Sequence, residues 1–157
     1  MTLPWLFLYA YSSLTAVDLS FTKAVRRGPI RYEPGDITKL AFSDASFDVV
    51  NCQSVLEHGV DVSAFLGEAS RVLRPGGLLL VSVDYSDRPL DVTAVRAIDP
   101  NYTMFDPGGI DALMATARGM GLTTTGPVDL ACHEPAVRWQ AFDLAYTFVM
   151  LAFRKAP

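Results

Sequence analysis

Charge is scarce in this chain. Only 19% of its 157 residues are Asp, Glu, Lys or Arg, against roughly 25% in an average soluble protein. Basic charge is scarcer still: 13 Lys and Arg stand against 17 Asp and Glu, a formal net charge of −4. Nucleic-acid phosphates demand a basic face, and Arg26-Arg27 is too short a cluster to make one. That pair reads as solvated surface, and no nucleic-acid partner is expected. Cysteine is nearly absent. Cys52 and Cys132 lie far apart, with no CxxC or Cys/His spacing of the zinc type, so no metal site is expected. Cys52 sits in an apolar run and reads as the reduced, buried thiol of a cytoplasmic protein. Long hydrophobic runs are missing too. Residues 3–11 are strongly apolar and aromatic, but a membrane span needs about 20 such residues. No Lys or Arg precedes them to form the charged start of a secretory signal. No membrane partner is expected, and the segment reads as a buried strand or helix, or as the scar of a truncated start. Glycine is absent before Gly28.

What is present is apolar residue: half the chain, enough to bury a sizeable core in the one domain that this length suits. Short apolar runs cover residues 14–17, 30–33, 47–52 (FDVVNC) and 78–83 (LLLVSV). Runs apolar on both faces read as buried parallel strands. Between the last two, residues 62–73 place Phe65, Leu66, Ala69, Val72 and Leu73 at three- and four-residue spacing, an amphipathic helical stripe. Ser63 is a candidate cap for its start. Arg71 and Arg74 near its end favour the helix dipole, and Pro75-Gly76-Gly77 stops it. Residues 109–120 form a second helical pattern, with Ile110, Leu113, Met114 and Ala117 on one face. Residues 122–130 and 144–153 are strand-like with no helical pattern between them, so they are expected to pair antiparallel. The order predicts an α/β, Rossmann-like, doubly wound and mostly parallel sheet ending in an antiparallel hairpin.

In open parallel sheets ligands sit beyond the carboxyl ends of the strands. Asp18 ends the first run, Asp36 follows the second, and residues 51–54 end the third. A carboxylate just past a strand can accept hydrogen bonds from both ribose hydroxyls of a nucleoside. A second, one strand over, can accept from an adenine amino group while the Ile37 N–H donates to the ring. Asp is also common in turns, so each acid alone says little; their serial order carries the reading.

TAVDLS, GDITKLAFSDASFDVVNCQSVLEH and FLGEASRVLRPGGLLLVSV resemble the second to fifth motif regions of the class I S-adenosylmethionine-dependent methyltransferases, most of all the "type 11" group. The ending YTFVMLAFRK is similar to that family's terminal hairpin. The resemblance implies methyl transfer from S-adenosylmethionine to a small-molecule acceptor by a single domain spanning residues 1–157. It implies that Asp18 holds the ribose, that Asp36 and Ile37 hold the adenine, and that Asn51, Cys52 and Gln53 lie under the methionine part of the cofactor. The family also opens with a strand and a G-x-G loop about 20 residues before the ribose acid. Counting back from Asp18 runs off this sequence. The expectation is an incomplete methyltransferase fold, with a non-catalytic or relic domain as the alternative.

Methyl transfer is an in-line displacement, helped mainly by positioning and by a base where the acceptor must lose a proton. Glu57 and His58, just after the third run, are the nearest candidates for that base; His58 suits the role because it titrates near neutrality, and for Glu57 a capping or pairing role is the alternative. Tyr85, at the end of the 78–83 run, is a candidate for the acceptor site. Residues 86–107 are long and aperiodic, and such stretches are usually functional or disordered. With Arg88, Arg96, Tyr102 and Phe105 they are a candidate acceptor lid, as the resemblance implies for this region, with a plain surface excursion as the alternative. The 131–143 connection, with His133, Arg138 and Trp139, reads as packed Trp and solvated Arg. Loss of a first strand would expose apolar faces and an edge. Residues 3–11 are expected to cover part of the gap, and self-association is expected otherwise.

Overall fold

The computed structural model describes residues 13–132 and 134–157. The first run forms β1 (Leu14–Asp18) and the second β3 (Ile30–Pro34), with the short β2 (Val25–Arg27) between them. The third run forms β4 (Phe47–Gln53). Helix α1 (Val62–Val72) leads into β5 (Leu73–Tyr85), and the 86–107 stretch holds one helical turn, α2 (Thr93–Arg96). Helix α3 (Pro107–Gly119) and strands β6 (Leu122–Thr124), β7 (Val137–Trp139) and β8 (Leu144–Lys155) complete the chain.

The strands fall into two sheets. One has the order β1-β3-β2; the other has the order β4-β5-β8-β6, with β7 also pairing to β8. β1 pairs parallel with β3, and β4 parallel with β5. β2 runs antiparallel to β3, and β5, β6 and β7 each run antiparallel to β8. A single continuous sheet was the expectation. Among the described residues no strand joins β1 to β4, and the 3–11 segment expected to cover that gap lies outside them. The terminal hairpin is present as β6 and β8, with β6 shorter than the 122–130 run. β2 and β7 have no counterpart in the sequence reading because three residues are too few to show a pattern: β2 is exposed throughout, and β7 is half-buried at Val137 and Trp139.

Helix α1 starts two residues earlier than a Ser63 cap requires. Asp61 is the cap, its carboxylate accepting from the Ala64 N–H at 3.0 Å. Asp106 does the same for α3, accepting from Gly109 at 2.7 Å. The two helices cover one face of the five-stranded sheet. Phe65, Leu66 and Ala69 of α1 and Ile110, Leu113 and Ala117 of α3 close over Leu79, Val81, Val83, Leu151 and Phe153. On the other face Phe148 and Met150 are 44% and 62% exposed. Arg71 does more than favour the helix end: its guanidinium donates to Glu68, Asp44 and the carbonyls of Leu40 and Phe42, fastening the 40–46 loop to α1. The RPGG turn bulges out of register, since Phe47 faces Leu73 but Val49 already faces Leu78. Gly77 sits where a Cβ would come within 2.9 Å of the Arg74 carbonyl and 3.0 Å of the Asp48 carbonyl.

Candidate functional site

Parallel pairing of β1 with β3 sets Asp18 opposite Pro34, so Asp18 and Asp36 emerge at the same end of adjacent strands. The approach is close: a Cβ on Gly35 would lie 2.7 Å from Val17 Cγ1. Both acids are exposed and each closes a tight local turn. Asp18 Oδ1 accepts from the Ser20 N–H at 2.8 Å. Asp36 Oδ1 accepts from the Thr38 N–H at 2.8 Å and from its hydroxyl at 2.7 Å. The Ser20 hydroxyl and N–H hold the Asp18 carboxyl below its ordinary range, and those of Thr38 do the same for Asp36. Both are therefore ionised at neutral pH. Among the described residues, neither second oxygen receives a hydrogen bond, and the Ile37 N–H makes none.

At the end of β4 the alternation of the strand separates the three predicted residues. Cys52 is 5% exposed and points into the core under α1. Burial, with Glu57 nearby, pushes its thiol up to about 12, so it stays a protonated, apolar filler. Asn51 and Gln53 share the opposite face, joined by a 3.0 Å bond from Gln53 Nε2 to Asn51 Oδ1. Ser54 then takes φ 50°, a left-handed conformation that a non-glycine residue rarely holds. It turns the chain away from the strand into a 3-10 turn at Leu56–His58.

That turn carries the groups the sequence reading underweighted. Glu57, there a candidate base or else a capping or pairing residue, is fully buried, and neither carboxyl oxygen has a hydrogen-bond partner. Burial first, and the Asp84 charge with it, push its carboxyl up to about 7. Asp84 is 6% exposed and accepts from the Tyr102 hydroxyl at 2.7 Å. An acid inside the apolar stretch LLLVSVDY was the available signal for Asp84. Burial and Asp84 raise the Tyr102 and Tyr146 hydroxyls well above their ordinary range. His58 points outward, its Nδ1 2.6 Å from Asp99 Oδ2 and its ring 5.8 Å from that of Tyr102.

The 86–107 stretch is fastened to this turn. Thr103 N–H donates to the Glu57 carbonyl at 2.8 Å, and Phe105 N–H to the Asp84 carbonyl at 3.0 Å. Of the three residues predicted for the acceptor, two are interior. Tyr85 is 1% exposed and donates to the Leu130 carbonyl at 2.8 Å, and Tyr102 is spent on Asp84. Arg96 is exposed and lines a concavity of about 220 Å³ with Arg88. In the other connection Trp139 packs on Phe142, with ring centroids 4.4 Å apart, while Arg138 is exposed. His133 lies outside the described residues. Among the described residues no cluster of three metal-ligating side chains forms, and no helix is long and apolar enough to cross a membrane.

Comparison with known proteins identifies the family and the fold. A methyltransferase-domain family model matches residues 2–81. A ubiquinone biosynthesis O-methyltransferase of Caulobacter sp. is 31% identical over 146 residues, covering 81% of this chain and 57% of that protein. A malonyl-[acyl-carrier protein] O-methyltransferase of Erwinia billingiae is 37% identical over 98 residues, covering 54% of this chain and 39% of that one. The chain thus spans about half the length of the curated relatives it matches. In fold it is similar to an S-adenosylmethionine-dependent methyltransferase from Mesorhizobium loti. The TM-score is 0.67 at 18% identity, with 96% of this chain and 84% of that one covered. The chain belongs to the methyltransferase-domain family of the class I, S-adenosylmethionine-dependent group, and its Rossmann-like α/β fold is that family's fold.

Proposed function

We propose that this chain binds S-adenosylmethionine across the ends of β1, β3 and β4 and transfers its methyl group to a small-molecule acceptor. The observation that carries the reading is the pair of ionised acids one strand apart, each with one oxygen held by its own turn and the other open. Asp18 would hold the ribose hydroxyls, and Asp36 with the Ile37 N–H the adenine edge. Asn51, Gln53 and the Cys52 backbone would lie beneath the methionine part. The cofactor supplies the methyl on a sulfonium; the protein supplies position. His58, oriented through Nδ1 by Asp99, presents Nε2 outward as the base for an acceptor that must lose a proton. The 86–107 stretch covers the acceptor, with Arg96 on its lining. The free cysteines accord with a reducing compartment, and the cytoplasm is the proposed location.

The rival reading is a non-catalytic, relic domain that does not bind the cofactor. Calorimetric titration with S-adenosylhomocysteine separates the two. Saturable micromolar binding is the expected result, whereas no heat and no thermal shift would leave the relic.

A further inference from the structure

The concavity at the far end of β5 is built differently from the nucleoside site. Its lining includes Ser86, Arg88, Leu90, Arg96, Met104 and Asp106. Two arginines line a space of about 220 Å³, in a chain whose net charge is −4. The neighbouring carboxylates Asp106, Asp91 and Asp87 each have one oxygen engaged in a local hydrogen bond rather than in an ion pair with Arg96. Asp106 Oδ1 caps α3, and Asp91 Oδ1 accepts from the Thr93 N–H at 2.9 Å. Asp87 Oδ2 accepts from the Cys132 N–H, and its Oδ1 reaches Arg88 Nε only at 3.8 Å. Among the described residues Arg96 has no ion-pair partner. Its Nε donates to the Tyr102 carbonyl at 2.9 Å, which leaves the two terminal amines for something else.

The frame behind Arg96 is rigid. Tyr102 is 1% exposed and is bonded through its hydroxyl to Asp84. The wall opposite is pinned by Ser86 N–H to the Phe105 carbonyl and Phe105 N–H to the Asp84 carbonyl, both at 3.0 Å. A guanidinium fixed through Nε presents its remaining donors as a planar fork, the geometry that matches a carboxylate or phosphate. The apolar part of the lining, Leu90 and Met104, suits a carbon skeleton attached to that group. The volume is below the roughly 300–1,000 Å³ of a whole ligand site, so it fits one end of a molecule.

We propose that Arg88 and Arg96 form an oxyanion subsite, and that the acceptor of this protein carries a carboxylate or phosphate group that docks there. The inference rests on the methyl-transfer reading for the word acceptor. The subsite lies on the same strand-end rim, one strand beyond Asn51 and Gln53. Anion binding is measurable without cofactor, so the two ideas fail separately.

The test is NMR of the ¹⁵N-labelled chain at fixed ionic strength, titrated with benzoate, phenyl phosphate and neutral benzamide. Benzoate or phenyl phosphate should shift amides in 86–106 saturably, and benzamide should not. The better of the two anions identifies which oxyanion is meant. Arg88→Gln and Arg96→Gln should each weaken the effect about tenfold, and Arg96→Lys should restore it only in part. Arg88 is 73% exposed, so its substitution leaves the fold intact and carries the test if Arg96→Gln does not fold. Equal shifts from benzamide, no saturable shift from either anion, or undiminished binding by Arg88→Gln would overturn the subsite. A parallel titration with S-adenosylhomocysteine reports on the nucleoside site alone.

Discussion

Replacing Glu57 by Gln should stabilise the protein at alkaline pH and remove a slope from its stability profile. The carboxyl is fully buried without a hydrogen-bond partner, close to a second buried acid, Asp84. Burying an unpaired charge is costly, and the group responds by holding its proton. Its pKa rises from 4.5 to about 7. Below pH 4.5 both states are protonated and the buried acid costs no ionisation. Between 4.5 and 7 the unfolded chain releases this proton and the folded chain keeps it, so stability falls as pH rises. Above 7 the folded state ionises too, and the loss is complete. At about 1.4 kcal/mol per unit the span is worth about 3 kcal/mol. Glutamine keeps the shape without the charge, although its buried amide gives back about 1–2 kcal/mol. At pH 8 the net gain should therefore be about 1–2 kcal/mol. The carboxyls with lowered values, Asp18, Asp36, Glu68 and Asp91, act in the opposite sense, losing stability as pH falls below the ordinary carboxylate range. They leave the window above 4.5 clear. Urea unfolding from pH 4.5 to 8.5 on both proteins measures the effect. A parent whose stability rises through that window, or a Gln variant weaker at pH 8, would refute the reasoning.

Four further outcomes are expected. Tyr102→Phe leaves the buried Asp84 carboxylate without its 2.7 Å donor, which should cost about 2 kcal/mol in urea unfolding; an unchanged midpoint would mean that water replaces the hydroxyl. Gly77→Ala drives a Cβ to 2.9 Å and 3.0 Å from two backbone carbonyls and should cost about 1–3 kcal/mol, whereas Ala at the unpaired surface position Gly119 should be tolerated. Asp18→Asn and Asp36→Asn retain an oxygen for their turns but lose the charge, so S-adenosylhomocysteine affinity by calorimetry should fall about tenfold in each while the melting temperature holds. Unaltered affinity in both removes these acids from the nucleoside site. The exposed Phe148 and Met150, with β1 and β4 each paired on one side only among the described residues, should make the chain self-associate as concentration rises. Light scattering after size-exclusion chromatography would show this, and Met150→Lys should reduce it.

The parts of this fold that announced themselves in sequence are those whose burial is local and periodic. The 62–73 stripe became α1 and the LLLVSV run became β5 because each is set by residues three, four or two positions apart. β2 and β7 stayed hidden although each pairs with the next strand across a short connection, Val25 with Tyr32 and Val137 with Tyr146, because three residues are too few to show an alternating apolar pattern. The site divides in the same way. Asp18 and Asp36 were legible because a strand's end and the acid beyond it are neighbours in sequence, and parallel pairing of β1 with β3 then brings the two ends together. Direction within a strand end was not legible. Cys52 faces the core while Asn51 and Gln53 face away, a distinction of one residue that only the register with β5 fixes. Tyr85 and Tyr102 illustrate the converse. Both are polar-tipped aromatics near a candidate acceptor site, yet both spend their hydroxyls on the interior, on Leu130 and Asp84. What sequence assigned to ligand contact the fold uses to tie β5 to the segment at Leu130 and the 86–107 stretch to β5. Under the proposed reading, the exposed Arg88 and Arg96 on its outer side are the groups that would meet an acceptor. The 86–107 stretch is fastened beside two buried acids, Glu57 and Asp84, so its attachment should depend on protonation. Loss of the Glu57 proton and loss of the Tyr102 hydroxyl should therefore loosen the same segment, visible as faster amide exchange across 99–105 in Tyr102→Phe and in the parent above pH 7.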